Sequence, residues 1–181
     1  FPGDVRNNMC YAWMIGAAKM GMHFVGLGPK ELAGEMDRAL VSRVEETARE
    51  TGAKIEITDD PGCLKGADVI YGDIWASMGE EDLIPERAKL LTPYRVTEET
   101  LKATGNSNVL YLHCLPADIS GLSCPEGEVD NSVFDRYLVP LYKQASFKPY
   151  IIAAMIFLAQ VKDPVKTLME LDAADNKRKM F

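Results

Sequence analysis

Positive charge is in short supply in this sequence, with 20 Lys and Arg against 27 Asp and Glu and a net charge of −7. That balance argues against a nucleic-acid backbone as partner and leaves any anionic ligand to a few placed cations. Histidine is scarcer still, and with only His23 and His113 present a histidine-built metal site is not expected. The four cysteines, Cys10, Cys63, Cys114 and Cys124, show neither zinc nor redox spacing, and a chain of this size needs no disulfide staples. A reducing, cytoplasmic setting is the expectation. The longest apolar run, residues 149–161, is too short to span a membrane, and no signal-peptide pattern appears. No initiator methionine opens the chain either. Residues 1–4 read as the end of a strand, so the sequence is expected to be part of something longer.

What is present is an alternation of strand and helix patterns. Met9, Trp13, Gly16 and Met20 recur at helical spacing and predict a helix over 8–20 with that face inward, closed by Gly21. Residues 23–27 read as a strand. Leu32, Met36, Leu40 and Val44 form an i, i+4 stripe that predicts a second helix, stopped by Gly52. Strands are expected at 54–58, 67–71 and 108–112, with short helices at 86–91 and 97–104 between the last two. Residues 113–131 carry no period. Beyond them a helical turn at 131–137, a strand at 138–142, an apolar helix at 149–161 and a terminal helix at 164–174 are expected, the last docking Leu168, Met169 or Leu171. The pattern implies one α/β domain: a doubly wound, mainly parallel sheet with helices on both faces.

Ligands in such folds bind beyond the carboxyl ends of the strands. Those ends collect Gly3 and Asp4 with Asn7 and Asn8, then residues 73–79, then residues 113–116, and lastly residues 144–148. Each piece also has a plain structural reading. Asn7 or Asn8 serves as a helix cap, and Asp73 as the cap of a turn. Cys114 can be a buried small hydrophobe, His113 a satisfied core histidine, and Lys148 a solvated charge. At a helix start, however, an ammonium beside free N–H groups makes an anion site. No Gly-x-Gly-x-x-Gly turn follows the first strand, where Gly3-Asp4-Val5-Arg6 stands instead, which sets a nicotinamide dehydrogenase aside.

Three motifs in order carry a resemblance: Gly3-Asp4-Val5-Arg6-Asn7-Asn8-Met9, then Asp73-Ile74-Trp75-Ala76-Ser77-Met78-Gly79-Glu80, then His113-Cys114-Leu115-Pro116-Ala117. Together they resemble the C-terminal, amino-acid-binding domain of the aspartate/ornithine transcarbamylase family, over nearly the whole chain. The resemblance implies transfer of the carbamoyl group of carbamoyl phosphate to an amine, foremost ornithine, with no cofactor or metal. It implies that Asn8 and the Met78 N–H meet the substrate carboxylate, that Asp73 and Ser77 hold the α-ammonium, and that Cys114 and the Leu115 carbonyl sit at the attacking amine beside His113. Where the family carries Asn-Arg-Met-His, this sequence has Ser146-Phe147-Lys148-Pro149-Tyr150, so Lys148 keeps the charge without the two-pronged arginine geometry. The family's Ser-Thr-Arg-Thr-Arg grip on carbamoyl phosphate belongs to an N-terminal domain and does not occur here. The resemblance further implies a trimer in the whole protein. Another amine acceptor, or a stand-alone small-molecule binding module on the same fold, is the alternative.

Overall fold

Two parallel strand pairs frame the first part of the molecule, in a computed structural model that describes residues 1–76 and 79–174. Strand β1 (His23–Leu27) pairs with β2 (Lys54–Thr58), and β3 (Val69–Gly72) with β4 (Leu110–His113). A short third pair, β5 (Ile119–Ser120) with β6 (Val129–Asp130), is also parallel. Parallel neighbours need crossovers. Helices α2 (Lys30–Gly34) and α3 (Arg38–Thr51) lead from β1 to β2, and α4 (Ile84–Leu91) and α5 (Glu98–Ala103) from β3 to β4. Helix α1 (Asn8–Met20) precedes β1. The chain divides into two compact units, Phe1–Leu141 and Tyr142–Phe181. The long helix α6 (Asn131–Ser146) begins in the first, and α7 (Lys148–Gln160) and α8 (Pro164–Ala173) belong to the second. The α/β class and the parallel pairing agree with the sequence expectation.

Several expectations need correction. The buried face of α1 is Cys10, Met14, Ala17 and Ala18, whereas Met20 is 75% exposed. Trp13 instead turns its ring to Tyr71, with centroids 4.8 Å apart. The single helix expected between β1 and β2 is broken, because Asp37 caps a new start by accepting the N–H groups of Ala39 and Leu40, each at 3.0 Å. Its carboxylate satisfies two of the donors that a helix start leaves open. The strand expected at 138–142 is helix throughout. In that stretch Leu141 is buried while Leu138, Val139 and Tyr142 are exposed, which is one inward residue per helical turn rather than alternation. An apolar run of that length cannot tell helix from strand by period alone. Leu168, Met169 and Leu171 of α8, expected to dock, are exposed.

Two apolar clusters fill the first unit. One joins α1 and α3 to Phe24, Trp75 and Leu91. The other gathers Ile70, Tyr111, Val96, Val129, Val133 and Leu141 around β3 and β4. Between β3 and β4 the approach is so close that a Cβ on Gly72 would stand 2.6 Å from the Tyr111 hydroxyl and 2.9 Å from His113 Cδ2. Both of those side chains are buried and have nowhere to retreat. Gly72→Ala should therefore destabilise the chain by about 1–3 kcal/mol, the usual cost of overpacking. Denaturant unfolding measures it, and an unchanged midpoint would contradict the packing described.

Candidate active site

Register decides which side chains meet. Gly72 lies opposite His113 in the parallel pair, so the next residues, Asp73 and Cys114, leave the sheet side by side at its carboxyl end. The Cys114 thiol donates to Asp73 Oδ1 across 2.7 Å, and the same oxygen accepts the Ile74 N–H at 2.9 Å. Asp73 is buried. Burial first, then the hydrogen bond to Asp73 and its negative charge, push the Cys114 thiol well above its usual range. At neutral pH it is a protonated hydrogen-bond donor and not a thiolate nucleophile.

His113, at the end of β4, is buried, and its Nδ1 accepts the Leu115 N–H at 2.9 Å. That bond assigns the neutral ring's proton to Nε2, which lies 3.1 Å from Glu128 Oε1. The same carboxylate oxygen accepts the Asp118 N–H at 2.7 Å. Burial raises the Glu128 carboxyl above the ordinary range, and its hydrogen bond to His113 works the other way. Leu115 sits at φ 57°, in the left-handed region that residues with side chains seldom use. The His113 ring anchors its N–H there. The Leu115–Pro116 bond is cis.

Two arginines frame the neighbouring loop. Arg87 Nη1 donates to the Trp75 carbonyl at 2.9 Å and to Glu80 at 3.0 Å, and Nη2 reaches the second Glu80 oxygen at 3.2 Å. One side chain thus fastens both ends of the 75–80 stretch. Arg95 Nε donates to the Gly127 carbonyl at 2.9 Å, pairs with Glu126 and lies 5.9 Å above the Trp75 ring. The first turn of the chain abuts the same place, since a Cβ on Gly3 would lie 3.9 Å from Trp75 Nε1. Arg6 donates to both Asp4 oxygens there. Although burial works against ionisation of Asp4, those bonds hold its carboxyl below the usual range.

A sequence model of the Asp/Orn binding domain of aspartate/ornithine carbamoyltransferases matches residues 1–159. The chain belongs to this family. The catabolic ornithine carbamoyltransferase of Clostridium perfringens (strain 13 / Type A) is 58% identical over 119 residues, 65% of this chain and 35% of that protein. The ornithine carbamoyltransferase of Caldanaerobacter subterraneus subsp. tengcongensis is 50% identical over 157 residues, 86% of this chain and 48% of that protein. The crystal structure of the anabolic ornithine carbamoyltransferase from Campylobacter jejuni aligns with a TM-score of 0.76 at 30% identity, covering 85% of this chain and 48% of that one. The chain therefore spans between about a third and a half of the length of these carbamoyltransferases.

Of the residues singled out in the sequence of this family member, the structure brings Asp73, His113, Cys114 and Leu115 together. Asn7, not Asn8, caps α1, its side chain accepting the Met9 N–H at 2.8 Å. Asn8 is exposed in the first turn. Ser77 and Met78 lie outside the described residues. Lys148 is the first residue of α7, in the second unit. Sequence reasoning missed Glu128, Arg87 and Arg95. Each acts across a loop rather than along a helix or strand, so no period marks it; the only cue to Glu128 is a carboxylate directly before the apolar Val129.

Because Asp73 holds the thiol proton in place, Asp73→Asn should lower the Cys114 pKa. Alkylation of Cys114 by iodoacetamide at mildly alkaline pH should then speed up about tenfold for each unit lost. Peptide mass spectrometry separates Cys114 from the other cysteines, and an unchanged or slower rate would refute the assigned bond.

Proposed function

We propose that this chain is the amino-acid-binding half of an enzyme that carbamoylates ornithine with carbamoyl phosphate, giving citrulline and phosphate. The observation that carries the reading is the Cys114 thiol bound to the buried Asp73 carboxylate at adjoining strand tips, in a chain of carbamoyltransferase family. The names of its relatives, ornithine carbamoyltransferases, support ornithine as the acceptor.

In this proposal the Asp73 carboxylate and Ser77 hold the α-ammonium, while the Asn8 amide and the Met78 N–H hold the α-carboxylate. Among the described residues both hydrogen bonds to Asp73 use Oδ1, and Oδ2 is assigned to the ligand. A zwitterion held at that end extends its side-chain amine to Cys114 and the Leu115 carbonyl. The amine must be neutral to attack, and a carbonyl that accepts one of its N–H groups turns the lone pair toward the carbamoyl carbon. The new C–N bond forms as the bond from that carbon to the phosphate oxygen breaks. Phosphate leaves with the electron pair, and the nitrogen gives up a proton. Fixing two substrates in this alignment contributes several kcal/mol to lowering the barrier. Lys148 is assigned the cation for the carbamoyl oxygen, and a separate N-terminal domain the grip on carbamoyl phosphate. A cytoplasmic trimer as the whole protein completes the proposal.

Steady-state assays of the whole protein test the reading. Ornithine should be carbamoylated in preference to other amines, and turnover with another amine but none with ornithine would reassign the acceptor. The chain by itself should show no turnover, and measurable turnover would refute the half-site reading. Asp73→Asn should cut kcat/KM for ornithine by roughly 10- to 100-fold, matching the loss of a charge-assisted hydrogen bond of about 1.5–3 kcal/mol. The KM for carbamoyl phosphate should barely move. Lys148→Ala should lower kcat more than it raises the ornithine KM.

A further inference from the structure

Two buried side-chain atoms near β4 have no hydrogen-bond partner among the described residues, the Tyr111 hydroxyl and Glu128 Oε2. Tyr111 is 0% exposed and Glu128 3%. An unpaired hydroxyl or carboxylate oxygen at that depth is unfavourable, and native interiors rarely leave one so. The neighbouring tyrosine shows the ordinary outcome. Tyr137 packs edge-on against Tyr111 with centroids 6.2 Å apart, and its own hydroxyl donates to the Val109 carbonyl at 2.7 Å. A phenylalanine ring at position 111 would fill the same apolar surroundings without burying an oxygen, so the Tyr111 hydroxyl calls for a partner.

Geometry and charge bring the two atoms to one place. Tyr111 and His113, two apart in β4, project from the same face of the sheet, with ring centroids 6.3 Å apart. The Tyr111 hydroxyl and His113 Cδ2 border one spot, the position that a Cβ on Gly72 would take, at 2.6 and 2.9 Å. Cδ2 is bonded within the ring to Nε2, and Nε2 lies 3.1 Å from Glu128 Oε1. The imidazole edge turned to the carboxylate is thus the edge that borders the hydroxyl. Burial first, and then the charge of Glu128 ahead of those of Cys114 and Asp73, push the Tyr111 hydroxyl well above its usual range. It is a neutral donor beside an acceptor.

We propose that the Tyr111 hydroxyl and Glu128 Oε2 share one internal water, and that Tyr111 is thereby a positioning residue for the Leu115 carbonyl. No direct bond joins the two atoms, and a water that accepts from the hydroxyl and donates to the carboxylate spans such a gap. The water completes a chain of contacts. Tyr111 holds Glu128 through it, Glu128 Oε1 accepts the Asp118 N–H at 2.7 Å and faces His113 Nε2, and His113 Nδ1 accepts the Leu115 N–H at 2.9 Å. Leu115 stands at φ 57°, a conformation that persists only when its surroundings over-determine it. Its carbonyl is the group to which the proposed function assigns the attacking amine. The positioning role rests on that reading of the function; the water does not.

Tyr111→Phe in the whole protein tests both parts, since it removes the oxygen and keeps the ring. A crystal structure of the unaltered protein that resolves ordered water should show one within hydrogen-bond distance of both the Tyr111 hydroxyl and Glu128 Oε2, and the Tyr111→Phe structure should lack it. A water on only one of the two atoms, or on neither, overturns the proposal. Hydrogen exchange at the Leu115 amide should speed up roughly 2- to 10-fold in Tyr111→Phe, as the loss of one hydrogen bond allows. Unchanged or slower exchange overturns the link from Tyr111 to Leu115. In steady-state assays with ornithine the variant should lose several-fold in kcat while both KM values barely move. A raised ornithine KM with kcat and Leu115 exchange unchanged would show that the hydroxyl serves Asp73 instead, which also overturns the proposal. If the unaltered protein carbamoylates no amine, the reading of the function fails, and the crystallographic and exchange results still decide the water link.

Discussion

The close parallel contact of β3 with β4 is the constraint on which the candidate site rests. Gly72 lets the two backbones come together against the Tyr111 and His113 side chains, and the register of that pair sends Asp73 and Cys114 out at one level. Had either strand slipped by one residue, the carboxylate and the thiol would emerge on opposite faces. The chemistry proposed for the site thus begins as a packing requirement at a residue with no side chain.

From that contact a line of polar groups runs through otherwise apolar surroundings. Two carboxylates, Asp73 and Glu128, are buried at its ends. Burying a carboxylate costs several kcal/mol unless compensated; Asp73 accepts from Cys114 and Ile74, and Glu128 accepts from Asp118 with His113 Nε2 3.1 Å away. His113 is the hinge of the arrangement. Facing Glu128 with one nitrogen and accepting the Leu115 N–H with the other, it couples the loop after β4 to the end of the turn-rich stretch. The left-handed backbone of Leu115 persists because its surroundings over-determine it.

Local rules carried the sequence reading far. Gly21 and Gly52 both adopt the left-handed conformation at the ends of α1 and α3, as helix-stop chemistry requires, and of the four segments expected to converge, the tips of β3 and β4 meet at Asp73 and Cys114. Features that need three dimensions were not legible. Trp13 and Met20 fit a helical stripe, yet the cluster of Cys10, Met14 and Ala17 turned inward because small and flexible side chains fit beneath β1. The stretch from Leu138 to Tyr142 is too short and too uniformly apolar to reveal its period. Glu128, Arg87 and Arg95 bond across loops, where sequence spacing holds no information about distance.

In the proposed site, with Asn8 on the substrate carboxylate, the doubled asparagine at the start of α1 separates two duties that one residue could not hold together. Asn7 is committed to the backbone, closing a hydrogen bond that the fold needs whatever the chain binds. Asn8, one step along and exposed, carries none of that obligation. A change of ligand preference could therefore be written at Asn8 without weakening the helix, while the neighbouring, chemically identical side chain would have to stay as it is.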